Sequence, residues 1–195
     1  MEYKRYIFLD IDGVLNHPEH YVFMRNTFSQ EALHQMDMLA YHCDTTKLAL
    51  LNQLEDCEVV LSTSWPHDYC QRELPKLGLK IPIIGGIDNQ EVQEKWIVRG
   101  NSIAAWFVKR YGSMPCDSFV NSFEADGWWY PDITYNMYDG EITMKNLGDL
   151  AVTYVILDDC ADMLMDQKNH FIHVNAETGL TAKDIRKAKK ILNID

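Results

Sequence analysis

The chain has 195 residues, of which 47% are hydrophobic and 24% are charged, and its formal net charge is −11 at pH 7. This length and composition are typical of one globular domain that can bury a sizeable core, so we expect a single domain over residues 1–195. The negative charge argues against a broad nucleic-acid-binding surface, which would normally be basic. No apolar run approaches the roughly 20 residues of a membrane span.

The cysteines are scattered, odd in number and without a Cys-x-x-Cys pair, which favours reduced thiols over a disulfide framework or a zinc site. The first residues enter the first predicted strand directly, without the pattern of a signal peptide. Both observations predict a cytoplasmic protein. The five cysteines are Cys43, Cys57, Cys70, Cys116 and Cys160.

A short apolar run, Tyr6 to Leu9, leads directly into Asp10-Ile11-Asp12-Gly13. Such a run, bounded by a turn signal, predicts a buried strand. The two acids then lie at its carboxyl end, where open α/β sheets bind their ligands. Two carboxylates held together there are costly unless a cation or a reaction needs them. An ordinary acidic turn is the alternative for this stretch taken alone.

Helical spacing of apolar residues continues after this strand. It predicts helix over Val22 to Ala40, with Ser29 as an N-cap, and over Thr45 to Glu55. A second strand, Glu58 to Leu61, stops at small hydroxyl residues that open the next helix near Pro66.

The later elements repeat this alternation. Ile81 to Ile84 is a predicted strand at the sheet edge, because Pro82 cannot donate to a neighbouring strand. Further predictions are a helix from Arg99 to about Tyr111, strands over Tyr154 to Leu157 and Phe171 to Val174, and a closing helix that begins with the capping box Thr181-x-x-Asp184. Strands that alternate with helices predict a mostly parallel sheet with helices on both faces.

Residues 112–150 interrupt the alternation. They hold seven acidic residues, one lysine and a concentration of aromatic residues, with two Asp-Gly turn signals. We predict an irregular insertion with its own small β-element. Its aromatic residues are expected to form a small core, and a lid or partner surface is the alternative.

Three predicted strands end in polar residues that one reaction could use. Asp10 and Asp12 follow the first, Ser62 follows the second, and Asp158 and Asp159 follow the fourth. In a parallel sheet these ends lie at the same edge. Carboxylates gathered there repel one another unless a hard cation such as Mg²⁺ neutralises them. A carboxylate nucleophile, Mg²⁺, a hydroxyl donor and a fixed cation together predict a phosphoryl-transfer site.

The same motifs, in the same order, resemble those of the haloacid dehalogenase-like (HAD) superfamily. They are Asp-x-Asp-Gly-Val-Leu-Asn, Ser-Thr, Arg-Gly-x-x-Ile and Asp-Asp, between residues 6 and 159. Three further stretches resemble those of the small HAD group related to Swiss-army-knife RNA-repair proteins. They are Ser-Thr-Ser-Trp, Arg-Gly-Asn-Ser-Ile-x-x-Trp and Thr-Gly-Leu-Thr. The resemblance implies a three-layer, Rossmann-like α/β fold with a mostly parallel five-stranded sheet and a minimal cap. The irregular insertion before strand four is longer than the resemblance leads us to expect.

The resemblance also implies a role for each motif residue. Asp10 would be the nucleophile that accepts the phosphoryl group. Asp12 would protonate the leaving group and then activate water. Ser62 would hydrogen-bond the transferring phosphoryl group, with Thr63 as the rival. Arg99 would take the place usually held by lysine and stabilise charge in the transition state.

The implied cofactor is Mg²⁺. Asp158 and Asp159 would hold it together with Asp10 and the carbonyl oxygen of Asp12, and Asp162 could orient these ligands. Haloalkanoate dehalogenases of this fold lack an acid at the position of Asp12, so the resemblance favours a phosphatase.

Residues 16–44 directly follow the nucleophile and are predicted to form a small cap or flap that gates the substrate. Within the site, Gly13 is expected to turn the chain so that phosphate can approach, and Arg25 is a predicted phosphate contact. A metal pair at His17-x-x-His20 is not favoured, because no further ligands accompany it. Pro66 stands where the related group usually has an arginine, so that substrate contact is missing.

The predicted function is therefore that of a Mg²⁺-dependent phosphatase acting on a small phosphorylated metabolite or nucleotide. A phosphatase of polynucleotide ends is the closest alternative, which the RNA-repair resemblance favours and the negative charge opposes. A catalytically idle binding module that keeps the fold is the third. No membrane partner is expected, and the sequence does not predict the oligomeric state.

Overall fold

The computed structural model describes residues 2–87, 98–111 and 150–194, and a five-stranded sheet forms its centre. The strands are β1 (Glu2–Leu9), β2 (Glu58–Leu61), β3 (Ile83–Gly86), β4 (Leu150–Asp158) and β5 (Phe171–His173). Their order is β3-β2-β1-β4-β5, and every neighbouring pair is parallel. The predicted parallel sheet and the edge position of the third strand are confirmed.

Seven helices connect the strands in the described parts of the chain. They are α1 (Pro18–Thr27), α2 (Gln30–Gln35), α3 (Met38–His42), α4 (Thr45–Leu51), α5 (His67–Glu73), α6 (Arg99–Tyr111) and α7 (Ala182–Leu192). The capping box predicted at the start of the last helix is present. The Thr181 side chain accepts a hydrogen bond from the backbone N–H of Asp184, and the Asp184 side chain accepts one from the backbone N–H of Thr181.

Side-chain alternation along the strands supplies a buried core on each face of the sheet. Alternate residues of β1, such as Ile7 and Leu9, pack with α4, α5 and α7, whereas Tyr6 and Phe8 pack with α6. The molecule therefore has the three layers expected of the predicted α/β, Rossmann-like HAD fold, which is confirmed.

The segment after β1 differs from the predicted helical stretch Val22 to Ala40. The structure begins a helix earlier, at Pro18, and divides the segment into α1, α2 and α3. The predicted N-cap at Ser29 is confirmed, because its side chain accepts a hydrogen bond from a backbone N–H in the first turn of α2. Asp37 accepts hydrogen bonds in the same way from the first turn of α3, and it was not predicted as a cap. Each such N-cap begins a new helix and stops the preceding one. These three helices make up most of residues 16–44, whose role as a cap stays a prediction.

The predicted insertion, residues 112–150, lies outside the described residues except for its last position. Within the described parts of the chain, no helix is long and apolar enough to cross a membrane. Four of the five cysteines lie in those parts, and all four are free thiols: Cys43, Cys57, Cys70 and Cys160.

Candidate active site

The register of the sheet places three strand ends at the same level. Leu9 of β1 pairs with Leu61 of β2 on one side and with Leu157 of β4 on the other. Asp10, Ser62 and Asp158 come directly after these paired residues, and backbone hydrogen bonds continue the ladder to Ser62 and Asp10. The structure therefore gathers the three residues at the carboxyl edge of the sheet, with Asp10 in the middle.

Arg99 links two acidic side chains at this edge. Its Nη1 donates to Asp10 Oδ2 at 2.7 Å and to Asp158 Oδ2 at 2.5 Å. The same nitrogen donates to the carbonyl oxygen of Ser62 at 2.9 Å. Because both carboxylate oxygens contact one nitrogen, Asp10 and Asp158 lie close together beneath a single guanidinium group.

The first turn of α6 is tied down where Arg99 begins it. The backbone N–H of Arg99 donates to Asp162 Oδ2 at 3.0 Å, and that of Gly100 donates to the Asp162 carbonyl oxygen at 3.2 Å. Asp162 therefore satisfies N–H groups that have no partner inside the helix. This places Asp162 as an anchor for the arginine.

The pKa values of Asp10 and Asp158 are both raised, so one arginine does not fully offset the burial of the two carboxylates. The pKa of Asp10 is raised on balance, because burial outweighs the charge of Arg99 and the hydrogen bonds from Arg99, Ile11 and Thr63 that lower it. Burial and the charge of Asp10 raise the pKa of Asp158 to about 7, against the opposing effect of Arg99. Burial and the mutual repulsion of the two carboxylates therefore outweigh the single arginine, and a bound cation would favour the ionised form of both.

Ser62 and Thr63 have different partners. Ser62 Oγ is fully buried and has no hydrogen-bond partner among the described residues. The Thr63 hydroxyl contributes a hydrogen bond to Asp10 and accepts one from the backbone N–H of Trp65 at 3.4 Å. A buried hydroxyl without a partner is costly unless a ligand satisfies it. This contrast favours Ser62 as the hydroxyl that is available to a bound anion.

Asp12 differs from Asp10 in being exposed and held by two side-chain donors. Asn16 Nδ2 donates to Asp12 Oδ1 at 2.8 Å, and Trp65 Nε1 donates to Asp12 Oδ2 at 3.0 Å. Asn16 also accepts from the backbone N–H of Gly13, which closes the turn. The carboxylate is thus held in one orientation at the open side of the site, where an incoming substrate can meet it.

Gly13 lies in the left-handed region, with φ of 68°. A Cβ atom there would lie 2.4 Å from Asp159 Cγ, so a larger residue would clash with that side chain as well as strain the backbone. The glycine therefore lets Asp159 approach the turn that carries Asp12. No direct phosphate role for Gly13 follows from these contacts, and that role stays a prediction.

The acidic residues fit a hard cation. Asp158, Asp159 and Cys160 each have a ligand atom within 4.8 Å of the others. The carboxylate oxygens are ligands that Mg²⁺ prefers, whereas the Cys160 thiol is not, and burial raises its pKa to about 11, so it stays protonated. With Asp10 beside Asp158 and a single arginine that does not offset their burial and repulsion, these residues could hold Mg²⁺.

The side chains of residues 16–44 that were considered as phosphate or metal contacts form hydrogen bonds with other groups, not with the acidic cluster. Arg25 is exposed and donates to the carbonyl oxygen of Tyr21 in its own helix. His17 Nε2 pairs with Asp44 Oδ2, and His20 Nε2 lies 2.9 Å from the carbonyl oxygen of Tyr41. These histidines therefore have structural partners, and the phosphate contact predicted for Arg25 stays a prediction.

Two functional neighbours were missed in the sequence, Asn16 and Trp65. Both belong to motifs that carried the family resemblance, but neither was given a role. The four-residue spacing from Asp12 to Asn16 was a usable signal for a closed turn. No sequence signal pairs Trp65 with Asp12, because their contact depends on the adjacency of β1 and β2.

The metal-free protein is expected to lose stability as pH rises from about 4 to about 7. The folded-state pKa of Asp158 is raised above its ordinary value, so in this window the folded protein keeps a proton that the unfolded chain has released. That stabilisation is lost as pH rises through the folded-state pKa. Urea unfolding at pH 5 and pH 8 with a chelator present measures it. Asp158→Asn is the control, and equal pH dependence in variant and wild type would contradict the assignment.

The sequence matches the family described as HAD domain in Swiss Army Knife RNA repair proteins over residues 6–120. That region includes Asp10, Asp12, Ser62 and Arg99 and ends before Asp158. Searches of curated proteins and of solved structures find no match. At the level of the family, the match indicates a HAD-type, phosphatase-like hydrolase, and HAD proteins generally use Mg²⁺. The match covers more than half of the chain, which therefore belongs to the HAD domain family of the Swiss Army Knife RNA repair proteins.

Proposed function

We propose that this protein is a Mg²⁺-dependent phosphomonoester hydrolase that works through an aspartyl-phosphate on Asp10. One observation carries the proposal. The buried Asp10 carboxylate accepts a hydrogen bond from Arg99, and the exposed Asp12 follows two residues later. Ser62 directly follows the neighbouring strand, and its buried hydroxyl has no partner among the described residues. Nucleophile, charge stabiliser, hydroxyl donor and proton carrier thus lie together.

In the first step, an Asp10 oxygen attacks phosphorus while the bond from phosphorus to the leaving oxygen breaks. The leaving oxygen takes a proton from Asp12. Arg99 favours the ionised form of Asp10 and, with the Ser62 hydroxyl, stabilises negative charge on the transferring group. In the second step, Asp12 removes a proton from water, which attacks the phosphorus. Inorganic phosphate leaves, and the Asp10 carboxylate is restored.

Asp10, Asp158 and Asp159 are the side chains that would hold Mg²⁺. When bound, the ion supplies the positive charge that Arg99 alone does not provide for the carboxylates and the phosphate oxygens. The protein's own part is to fix the ligands, since Asp158 Oδ1 accepts the Cys160 N–H at 2.8 Å.

We propose a small phosphorylated metabolite or nucleotide as the substrate, because the net charge of −11 disfavours a long polyanion. The second candidate is a phosphatase of polynucleotide ends, which the family's occurrence in RNA repair proteins favours. A catalytically idle binding module is the third, but the complete set of acid, arginine and serine argues against it.

A panel of phosphorylated metabolites, nucleotides and oligonucleotides, assayed with Mg²⁺ and with chelator, tests the proposal. We expect chelation to lower turnover by at least about a hundredfold, since a cation supplies several kcal/mol of charge stabilisation. Unchanged turnover in chelator, or no turnover of any compound, would contradict the proposal.

A salt series on a phosphorylated oligonucleotide separates the first two candidates. Contacts to about three backbone phosphates would lower affinity roughly twentyfold between about 50 and about 200 mM salt. We expect kcat/KM to change far less than this if only the terminal phosphate is bound. A steep decrease would support the polynucleotide candidate instead.

A further inference from the structure

A row of rings begins next to Asp12. The Trp65 and Tyr69 rings are nearly parallel, with an interplanar angle of 10° and centroids 6.4 Å apart. His42 meets the edge of Trp65 with centroids 5.4 Å apart. We call Trp65, Tyr69 and His42 the ring platform, and none of the three residues is fully buried.

Polar contacts fix each ring of the platform. Trp65 Nε1 donates to Asp12, and the Tyr69 hydroxyl donates to Asp37 Oδ1 at 2.7 Å. His42 Nδ1 lies 2.8 Å from the Tyr21 hydroxyl. Rings that are already held in place lose little conformational entropy when a ligand stacks on them.

The platform lies on the side of the site where the leaving group must be. Asp12 can give its proton only to an oxygen within hydrogen-bond reach, so the leaving group sits against Asp12. Trp65 Nε1 is itself 3.0 Å from the Asp12 carboxylate. The indole is therefore a direct neighbour of whatever group leaves the phosphate.

The length of the platform argues for a substrate whose flat ring lies some distance from the phosphate. The Tyr69 ring, with its centroid 6.4 Å from that of Trp65, adds a second aromatic surface next to the ring that contacts Asp12. A ribose places its base beyond the phosphate by the width of the sugar. Every nucleobase has a π-face that can stack on an aromatic side chain.

We propose that the leaving group is a nucleoside whose base stacks on the ring platform, with Trp65 as the principal contact. This inference rests on the proposed phosphatase function and specifies its substrate class. The nucleoside phosphate can come from a free mononucleotide or from the end of an oligonucleotide.

The test compares Trp65→Phe with Trp65→Leu. Both variants lose the indole N–H that holds Asp12, but only phenylalanine keeps an aromatic face. The readout is the ratio of kcat/KM for adenosine 5′- or 3′-monophosphate to kcat/KM for ribose 5-phosphate, which has no base. We expect Trp65→Leu to lower this ratio by about 5- to 100-fold relative to Trp65→Phe.

A second pair keeps the test valid if the Trp65 variants fold poorly. Tyr69→Phe keeps the second ring of the platform, and Tyr69→Leu removes it. The hydroxyl of Tyr69 bonds to Asp37 and Leu39, so neither substitution removes a hydrogen bond to Asp12. We expect a smaller decrease of the same ratio for Tyr69→Leu. Equal ratios in both pairs would overturn the inference while leaving the phosphatase function intact.

Binding measurements separate failure of the inference from failure of the catalytic proposal. In an Asp10→Asn background, calorimetry gives the Kd values of the nucleotide and of ribose 5-phosphate without turnover. If the nucleotide binds more tightly than ribose 5-phosphate and Trp65→Leu removes this difference, base stacking on the ring platform is supported even if catalysis is absent. Comparing the mononucleotide with a 3′-phosphorylated oligonucleotide of the same terminal nucleoside then identifies the source, and either result supports a nucleoside leaving group.

Discussion

Asp10→Asn is expected to lower turnover of any phosphate ester by at least about a thousandfold, because the neutral amide cannot attack phosphorus. The fold should survive, since the amide has nearly the same shape and Arg99 keeps its contact with Asp158. Steady-state kinetics measure the loss, and acid-quenched protein analysed by mass spectrometry shows whether a phosphoenzyme forms. Wild type should carry the added phosphoryl group on Asp10, and the variant should not.

Asp12→Asn is the matched control, because it removes the proton carrier and leaves the nucleophile. We expect turnover of an alkyl phosphate to fall by about 10²- to 10⁴-fold. With 4-nitrophenyl phosphate, whose leaving group needs no proton, the first step should be less affected and phosphoenzyme should accumulate. Unchanged activity of Asp10→Asn would exclude the nucleophile assignment. Equal slowing of phosphoenzyme formation with the alkyl and the 4-nitrophenyl ester in Asp12→Asn, measured in a single turnover, would exclude its role as the acid.

Arg99→Met is expected to lower both activity and stability. It leaves Asp10 and Asp158 buried, at 6% and 0% side-chain exposure, without their cation. Breaking a buried ion pair on one side costs about 3–5 kcal/mol of unfolding free energy, and losing one preorganised donor costs about 10²- to 10³-fold in kcat. Urea unfolding in chelator should show a smaller stability loss at pH 5 than at pH 8, because protonation relieves the unpaired carboxylates.

Arg99→Lys distinguishes the charge from the guanidinium shape. The three hydrogen bonds that the Arg99 side chain donates to described residues all come from Nη1, which has only two hydrogens for three acceptors. A lysine ammonium group has three. We therefore expect Arg99→Lys to keep activity within about tenfold of wild type. If it were as inactive as Arg99→Met, a planar guanidinium would be required and the single-nitrogen interpretation would be wrong.

Local sequence was enough to predict most of the regular structure. The strand Glu58–Leu61 has the predicted bounds, and the helix from Arg99 to Tyr111 begins and ends where expected. These segments have one dominant signal, a buried apolar run or a helical spacing of apolar residues. The stretch after β1 was predicted less well. The N-cap at Ser29 is confirmed, but the helical spacing continues through Asp37, which caps a new helix instead.

The chemistry of the site was also predicted from sequence, because its residues follow strand ends directly. Asp10, Ser62 and Asp158 meet in the structure since parallel strands in register bring their carboxyl ends together. The choice between alternative residues for one role needed the contacts in the structure. Ser62 and Thr63 are adjacent and chemically alike, and only their hydrogen-bond partners in the structure distinguish them.

The sequence by itself determined the order of strands and helices, the family and the set of acids, hydroxyls and arginine at the sheet edge. Those features depend on residues that are neighbours in the chain. The tertiary structure alone decided that one arginine nitrogen spans Asp10 and Asp158, and that Trp65 holds Asp12 beside a row of rings. These contacts join residues that are 53 to 89 positions apart. Such distances are set by the packing of strands and helices, which no local pattern encodes.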